Sequence, residues 1–183
     1  MDEIKTLTID RLSKAKEVSG VEKINFTELY RSNATSVFYY IYSRVGNVSD
    51  AEDLTSQTFV TALENLSKLR NPCKFTSWVF SIARNKVYDF FRKSQRRPTA
   101  NYGENVDQIM GEEGMVSRRK QGLLIDLEGL ISRISPMEQE YLRLRIVAEL
   151  PFAEIASILE EPETRIKKRY YRLLERLKAQ VEE

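Results

Sequence analysis

Apolar residues recur every three or four positions along most of this 183-residue chain, and no stretch alternates apolar and polar residues long enough to make a strand. Seven glycines and five prolines are the only strong breakers. A chain patterned in this way buries its apolar stripes helix against helix, so the fold class it predicts is all-α. The first helix is expected over 27–45, with Leu29, Ala34, Val37, Phe38, Ile41, Tyr42 and Val45 as its stripe and Gly46-Asn47 as its stop. The second is expected over 49–66, opened by Ser49-Asp50-Ala51-Glu52, which reads as a capping box between Ser49 and Glu52. Its stripe is Leu54, Thr58, Phe59, Ala62, Leu63 and Leu66, and residues 68–74, broken by Pro72, form a loop. A third helix over 75–97 carries Phe75, Trp78, Val79, Ile82, Ala83, Val87, Phe90 and Phe91 at helical spacing before Pro98 stops it.

Residues 98–117 lack periodicity and read as a flexible acidic linker. The expected organisation is two small helical domains, 26–97 and 118–183, joined by that linker and preceded by an extension over 1–25. Each domain is near the lower size limit for independent folding. The second opens with a helix near 118–133 that places Leu123, Leu124, Leu127, Leu130 and Ile131 on one face. Ser135-Pro136-Met137-Glu138 is a second capping box with proline at the first helical position. Leu150-Pro151 precedes a short helix over 152–159, Glu160-Glu161-Pro162 makes a tight turn, and residues 163–178 form a last, basic helix.

Composition narrows the chemistry. Apolar residues make up 42% and charged residues 31%, a soluble globular balance. No apolar run approaches the ~20 residues of a membrane span, so no membrane insertion is expected. Residues 1–10 show no basic region followed by an apolar core, so no secretory signal is expected either. Histidine is absent, and the single cysteine, Cys73, cannot close an internal disulfide or build a thiolate zinc site. The reading is a cytoplasmic chain with no metal, no cofactor and no catalytic constellation. The net charge of +2 says little, but its distribution says more. Arg84, Lys86, Arg92, Lys93, Arg96 and Arg97 face Asp89 alone within 84–97. A second cluster, over 165–178, holds Arg165, Lys167, Lys168, Arg169, Arg172, Arg176 and Lys178 against Glu175 alone. Residues 48–64 and 98–117 carry acids and no Lys or Arg. Two basic stripes among acidic surfaces suggest one polyanion touched at two places, although each cluster alone also reads as a solvated helix face.

Residues 152–171 fit a helix-turn-helix. Ala156 supplies the small contact residue, and Ile155, Leu159 and Ile166 close the small core. The second helix then turns an outer face carrying Arg165, Lys167, Lys168, Arg169 and Arg172 towards a major groove. Two positions depart from the pattern: Glu160 stands where glycine is usual, and Glu161 where an apolar residue is usual. A plain helical hairpin is the alternative.

Together the two halves resemble a family. Residues 50–59 (DAEDLTSQTF) resemble the D-A-E-D-L-x-Q-x-x-F run of bacterial sigma factors. Residues 75–85 (FTSWVFSIARN) resemble their F-x-x-W-L-x-x-I-A-x-N, continued by Asp89 and Arg92. Ser135-Pro136, Leu144-Arg145 and residues 150–156 (LPFAEIA) resemble the region 4 helix-turn-helix. This is the layout of the extracytoplasmic-function (ECF) group of the sigma-70 family, which keeps regions 2 and 4, and it covers residues 26–179. The resemblance implies a non-enzymatic subunit that binds core RNA polymerase, recognises the minus-35 and minus-10 promoter elements and opens the duplex for transcription initiation. It implies core polymerase, promoter DNA and an anti-sigma factor as partners.

The resemblance also implies roles. Asp50, Glu52, Asp53 and Gln57 match the segment that docks on the clamp helices of the polymerase's largest subunit, with Asp53 and Gln57 the stronger candidates because a helix N-terminus alone favours Asp50 and Glu52. Arg84, Asn85, Lys86, Asp89, Arg92, Lys93, Arg96 and Arg97 match the melting and minus-10 segment, and residues 69–74 its base-capturing loop. Trp78, Phe90 and Phe91 read as packing, and Cys73 as a reduced thiol. Arg165, Lys167, Lys168, Arg169, Arg172 and Arg176 are the minus-35 candidates, with Arg169 also able to brace the two helices. Two other readings stay open: a sigma-like decoy for an anti-sigma factor, favoured by Glu160, Glu161 and Glu163 near the recognition helix, and an ordinary helix-turn-helix regulator, which leaves residues 49–92 unexplained.

Overall fold

The computed structural model describes residues 25–94 and 134–181, and the expectations for 1–24, 95–133 and 182–183 lie outside them. Among the described residues there are six α-helices and no strand, in agreement with the all-α reading. In chain order they are α1 Phe26–Val45, α2 Val48–Glu64, α3 Phe75–Ser94, α4 Pro136–Leu142, α5 Phe152–Leu159 and α6 Glu163–Val181.

Asn25 caps α1 through its side chain, and Gly46 ends the helix in the left-handed region, with φ of 70°. The Gly46 amide donates to the Tyr42 carbonyl at 2.9 Å. This reversal moves the start of the next helix. The cap of α2 is Asn47, not Ser49: its extended backbone lets its side-chain oxygen accept from the Asp50 amide at 2.9 Å. Ser49 therefore lies inside the first turn, and the expected box with Glu52 does not form at the helix start. Asparagine caps as well as serine, and the glycine places it there. Helix α2 ends at Glu64, short of the expected 66, and a single 3₁₀ turn over Leu66–Lys68 follows it; the expected loop holds a second, Pro72–Lys74.

Helices α1, α2 and α3 pack against one another. Phe26 meets Phe75 edge-on at 5.9 Å, and Tyr30 meets Phe59 at 4.7 Å. Trp78 lies partly buried against this core beside Phe75, as the apolar stripe predicts. The second half of α1 is buried on all sides, from Val37 to Val45 without interruption. The stripe read from the sequence accounts for part of this; Tyr39, Tyr40, Ser43 and Arg44 are buried as well. The chain that follows α4 covers them, because α1 also packs on residues 143–147.

The box at Ser135 forms as expected. The Ser135 amide donates to Glu138 at 3.0 Å, and the Glu138 amide donates to the Ser135 hydroxyl at 3.4 Å. Past Leu142 the helix widens into a π turn over Arg143–Val147, and Glu149 follows with φ of 58°. Arg145 steadies this irregular corner by donating to the Leu150 carbonyl at 2.9 Å while lying 4.9 Å over the Phe152 ring. Helix α5 runs over the expected residues and ends at Glu160, which adopts the left-handed conformation (φ of 54°) expected of a glycine position.

A non-glycine residue held there costs on the order of 1 kcal/mol. Glu160→Gly is expected to raise unfolding stability by about 0.5–1 kcal/mol, read from the urea midpoint. A second expectation concerns Glu138. Slight burial opposes its ionisation, but hydrogen bonds from Ser135 and Arg176 outweigh burial and hold its carboxyl below the usual value of 4.5. The stabilisation from the ionised box is therefore complete above that value and is lost as pH falls through the lower folded value. Glu138→Gln is expected to lower the urea midpoint at neutral pH, and the gap to the parent protein should close in acid.

Candidate nucleic-acid and partner interfaces

Helix α6 divides cleanly into two faces. Ile166, Tyr170, Leu173 and Leu177 are buried, and with Ile155 and Ile158 they seal α6 onto α5. Ile155 and Ile166 take the core roles expected of them, while Leu159 and Ala156 are partly buried at its edge. Arg165, Lys167, Lys168, Arg169, Arg172 and Arg176 are all exposed on the remaining surface. Their surroundings differ. Glu161, at the position where an apolar residue is usual, anchors cations instead. Arg169 reaches both Glu161 carboxylate oxygens and the Tyr141 hydroxyl at 2.9 Å, and Arg165 stands 3.9 Å from the same carboxylate. Arg176 pairs with Glu138 at 2.7 Å, and Lys167 with Glu163 at 2.6 Å. Lys168 and Arg172 pair with no carboxylate among the described residues. Exposed pairs of this kind are each worth about 0–1 kcal/mol, so a polyanion can exchange them at small cost.

Helix α2 presents the opposite character. Glu52, Asp53 and Gln57 are exposed, while Asp50 is half-buried by its place in the cap. Val60 and Glu64 continue the line of Asp53 and Gln57 at helical spacing, and Val60 is 49% exposed. This solvent-facing apolar residue was missed in the sequence because it lies off the apolar stripe; that displacement is the signal that marks it. The face combines acceptors with one apolar contact, the composition of a protein-docking surface.

On α3, Asn85, Arg92 and Lys93 are exposed, and Lys86 is half-buried. Asp89 pairs with Arg92 at 2.9 Å. Arg96 and Arg97 lie outside the described residues. Cys73 is exposed in the preceding loop. Arg84 differs from its neighbours. It is largely buried, and its Nε lies 3.6 Å from Glu140, a residue contributed by α4.

Glu140 is the centre of a cluster that sequence reasoning missed. It is 2% exposed and accepts from the Tyr40 hydroxyl at 2.5 Å and from the Arg44 guanidinium. Arg143, also buried, donates to the Ser43 carbonyl at 3.1 Å and to the Gln139 side chain at 3.1 Å. The Tyr88 ring lies 5.2 Å from both the Arg44 and the Arg84 guanidinium. Burial, and then the adjacent Glu140 charge, push the Tyr40 phenol well above the usual tyrosine range. Burial by itself would lower the Arg44 value, but Glu140 and Tyr40 outweigh it and hold the guanidinium firmly charged. The sequence does carry a trace of the cluster. Glu140 shares a stripe with Leu144 and Val147, and Arg44 one with Val37 and Tyr40, so each charge stands where an apolar residue belongs.

Among the described residues no group of His, Cys, Asp and Glu is placed to hold a metal ion, and no helix is long and apolar enough to cross a membrane. Residues 29–97 match the Sigma-70 region 2 family. The ECF RNA polymerase sigma factor BldN of Streptomyces coelicolor is 34% identical over 157 residues, covering 83% of this chain, which spans 58% of that protein's length. The ECF RNA polymerase sigma factor SigW of Bacillus subtilis is 24% identical over 180 residues, covering 92% of this chain and 95% of SigW. Among solved structures, CnrH in complex with the cytosolic domain of CnrY shares the fold, with a TM-score of 0.61 at 20% identity over 86% of this chain and 87% of that one. The region 2 match on α1–α3, together with these ECF relatives, shows that the chain belongs to the ECF group of the sigma-70 family.

Proposed function

We propose that this chain is a dissociable specificity subunit of RNA polymerase. In this reading residues 26–97 bind core polymerase and the minus-10 element, and residues 118–183 read the minus-35 element. The observation that carries it is the pairing of two exposed faces of opposite character: the acidic α2 face with Val60, and the cationic α6 face opposite a sealed apolar seam. A helix-turn-helix regulator needs only the second. A decoy needs no DNA-reading face, and the acids that favoured that reading serve within the fold: Glu161 binds Arg169 and Glu163 binds Lys167.

Asp50, Glu52, Asp53 and Gln57 dock on the clamp helices of the largest polymerase subunit, with Val60 as the apolar contact. Arg84, Asn85, Lys86, Asp89, Arg92, Lys93, Arg96 and Arg97 serve strand opening. Arg165 and Lys168 read base edges, and Arg172 and Arg176 hold phosphates. The protein acts by binding, without catalysis, metal or cofactor, in the cytoplasm. An anti-sigma protein that covers these faces is the restraint; the complex of the structural neighbour CnrH with the cytosolic domain of CnrY supports a partner protein.

Reconstitution with core polymerase and a promoter library tests the whole reading, with promoter-dependent transcripts as the expected result. Asp53→Arg combined with Gln57→Ala is expected to weaken core-polymerase binding by about tenfold or more, with helicity retained, in a titration of labelled protein. Arg165→Ala or Lys168→Ala is expected to shift the selected minus-35 sequence, each lost base contact costing about 1–3 kcal/mol. Arg172→Ala should instead weaken all sequences alike and lower the salt slope by about one. Arg169→Ala is expected to lower the urea midpoint as well, since it releases Glu161 and Tyr141.

A further inference from the structure

Tyr171 is the most exposed large apolar side chain among the described residues, at 56%. It stands on the cationic side of α6, with Lys167 and Lys168 one turn before it and Arg172 next to it, all exposed. The ring is supported from beneath. It meets Phe152 of α5 at 5.9 Å, tilted by 50°, and Tyr170 edge-on at 5.7 Å. Phe152 in turn packs edge-on against the buried Tyr170 at 5.3 Å. A tyrosine placed in this way offers a large, rigid contact surface at low cost in side-chain entropy. Its surroundings choose the partner. The neighbouring cations, of which Lys168 and Arg172 pair with no carboxylate among the described residues, favour a polyanion. The second helix of a helix-turn-helix lies in a major groove, and the apolar group exposed there is the 5-methyl of thymine.

We propose that Tyr171 is a specificity-determining residue for the minus-35 element, its ring packing on the 5-methyl group of one thymine. This inference rests on the minus-35 role proposed for α6. It adds to that role a residue that reads by apolar contact, where Arg165 and Lys168 read by hydrogen bonds. Lys168 and Tyr171 are three positions apart on one line of α6. The rise between them is about 4.5 Å against ~3.4 Å for a base step, so the thymine lies about one or two base pairs from the one that Lys168 reads. Burying one methyl group against the ring corresponds to about a fourfold gain in affinity. Leu174, one turn further along and 36% exposed, stands beyond that reach and serves as the control.

The test uses the full chain reconstituted with core polymerase, and duplexes carrying the minus-35 sequence selected from the promoter library. Each thymine of that element, on either strand, is replaced in turn by uracil, which keeps every hydrogen-bonding group and lacks only the methyl. At one position the replacement is expected to weaken binding of the parent protein about fourfold, read by competition in fluorescence anisotropy. Tyr171→Ala is expected to bind the thymine and uracil forms alike at that position. Tyr171→Phe and Leu174→Ala are expected to keep the fourfold ratio. A parent protein indifferent to uracil at every position overturns the inference, and that is the result expected if the ring serves a protein partner instead. A ratio that survives in Tyr171→Ala assigns the methyl to another residue and overturns it as well. Should Tyr171→Ala lose its helical circular dichroism, Tyr171→Gln takes its place with the same two outcomes. A reconstituted polymerase that selects no minus-35 sequence removes the specificity-subunit reading and the inference with it; a selected sequence without uracil discrimination removes only the role of Tyr171.

Discussion

Every residue of α1 from Val37 to Val45 is buried, and a helix without a solvent face needs partners on all sides. Helices α2 and α3 supply two of them, and the π turn after α4 supplies the next. Large aromatic side chains fill the spaces: Phe38, Tyr39, Tyr40 and Tyr42 each remove some 150–250 Å² from water on burial. Within this apolar surround, Tyr40 and Arg44 present polar groups one helical turn apart, and Glu140 answers both. Removing Glu140 would leave the buried Arg44 guanidinium without its carboxylate, and breaking a buried ion pair in this way costs about 3–5 kcal/mol. The register between the two stretches of chain therefore depends on a polar cluster set in an apolar core, where geometry is far more restricted than between hydrocarbon side chains.

The proposed interfaces follow from what that core leaves outside. The seam of α6 uses Ile166, Tyr170, Leu173 and Leu177, so its arginines and lysines are left on the opposite side. Acids beside them do not cancel the face. Glu161 pairs with Arg169 and Glu163 with Lys167 through exposed bridges that a polyanion can exchange. On α2 the same logic leaves Asp53, Gln57, Val60 and Glu64 in a line. The two surfaces differ in chemistry because one helix is amphipathic with a cationic outer face and the other with an acidic one.

Breakers and caps were the most legible parts of the sequence. Gly46 ends α1, Ser135 and Glu138 form their box, α5 spans its expected residues, and Glu160 takes the positive φ that its place in the turn requires. These are local effects, set by residues within four positions of one another. The cap of α2 went to Asn47 and not Ser49, since two good capping residues stood two apart and the direction of the chain leaving Gly46 chose between them. The π turn after Leu142 and the positive φ of Glu149 had no local sign. Among the site residues, exposure of the α6 cations and of Glu52, Asp53 and Gln57 was readable from periodicity, whereas Arg84 was read as one more member of a basic stripe.

The amino-acid sequence by itself determined that this chain is all helix, where most helices start and stop, which faces are apolar, and the family to which it belongs. Period and capping chemistry act over a few residues, so they are written in consecutive letters. Only the tertiary structure decided that Arg84 turns towards a carboxylate, that Glu161 anchors Arg169, and that Glu140 is sealed between Tyr40 and Arg44. A charged residue on an apolar stripe announces that it needs a partner; the partner's identity depends on which helices meet, and that is a property of packing across about a hundred residues of chain.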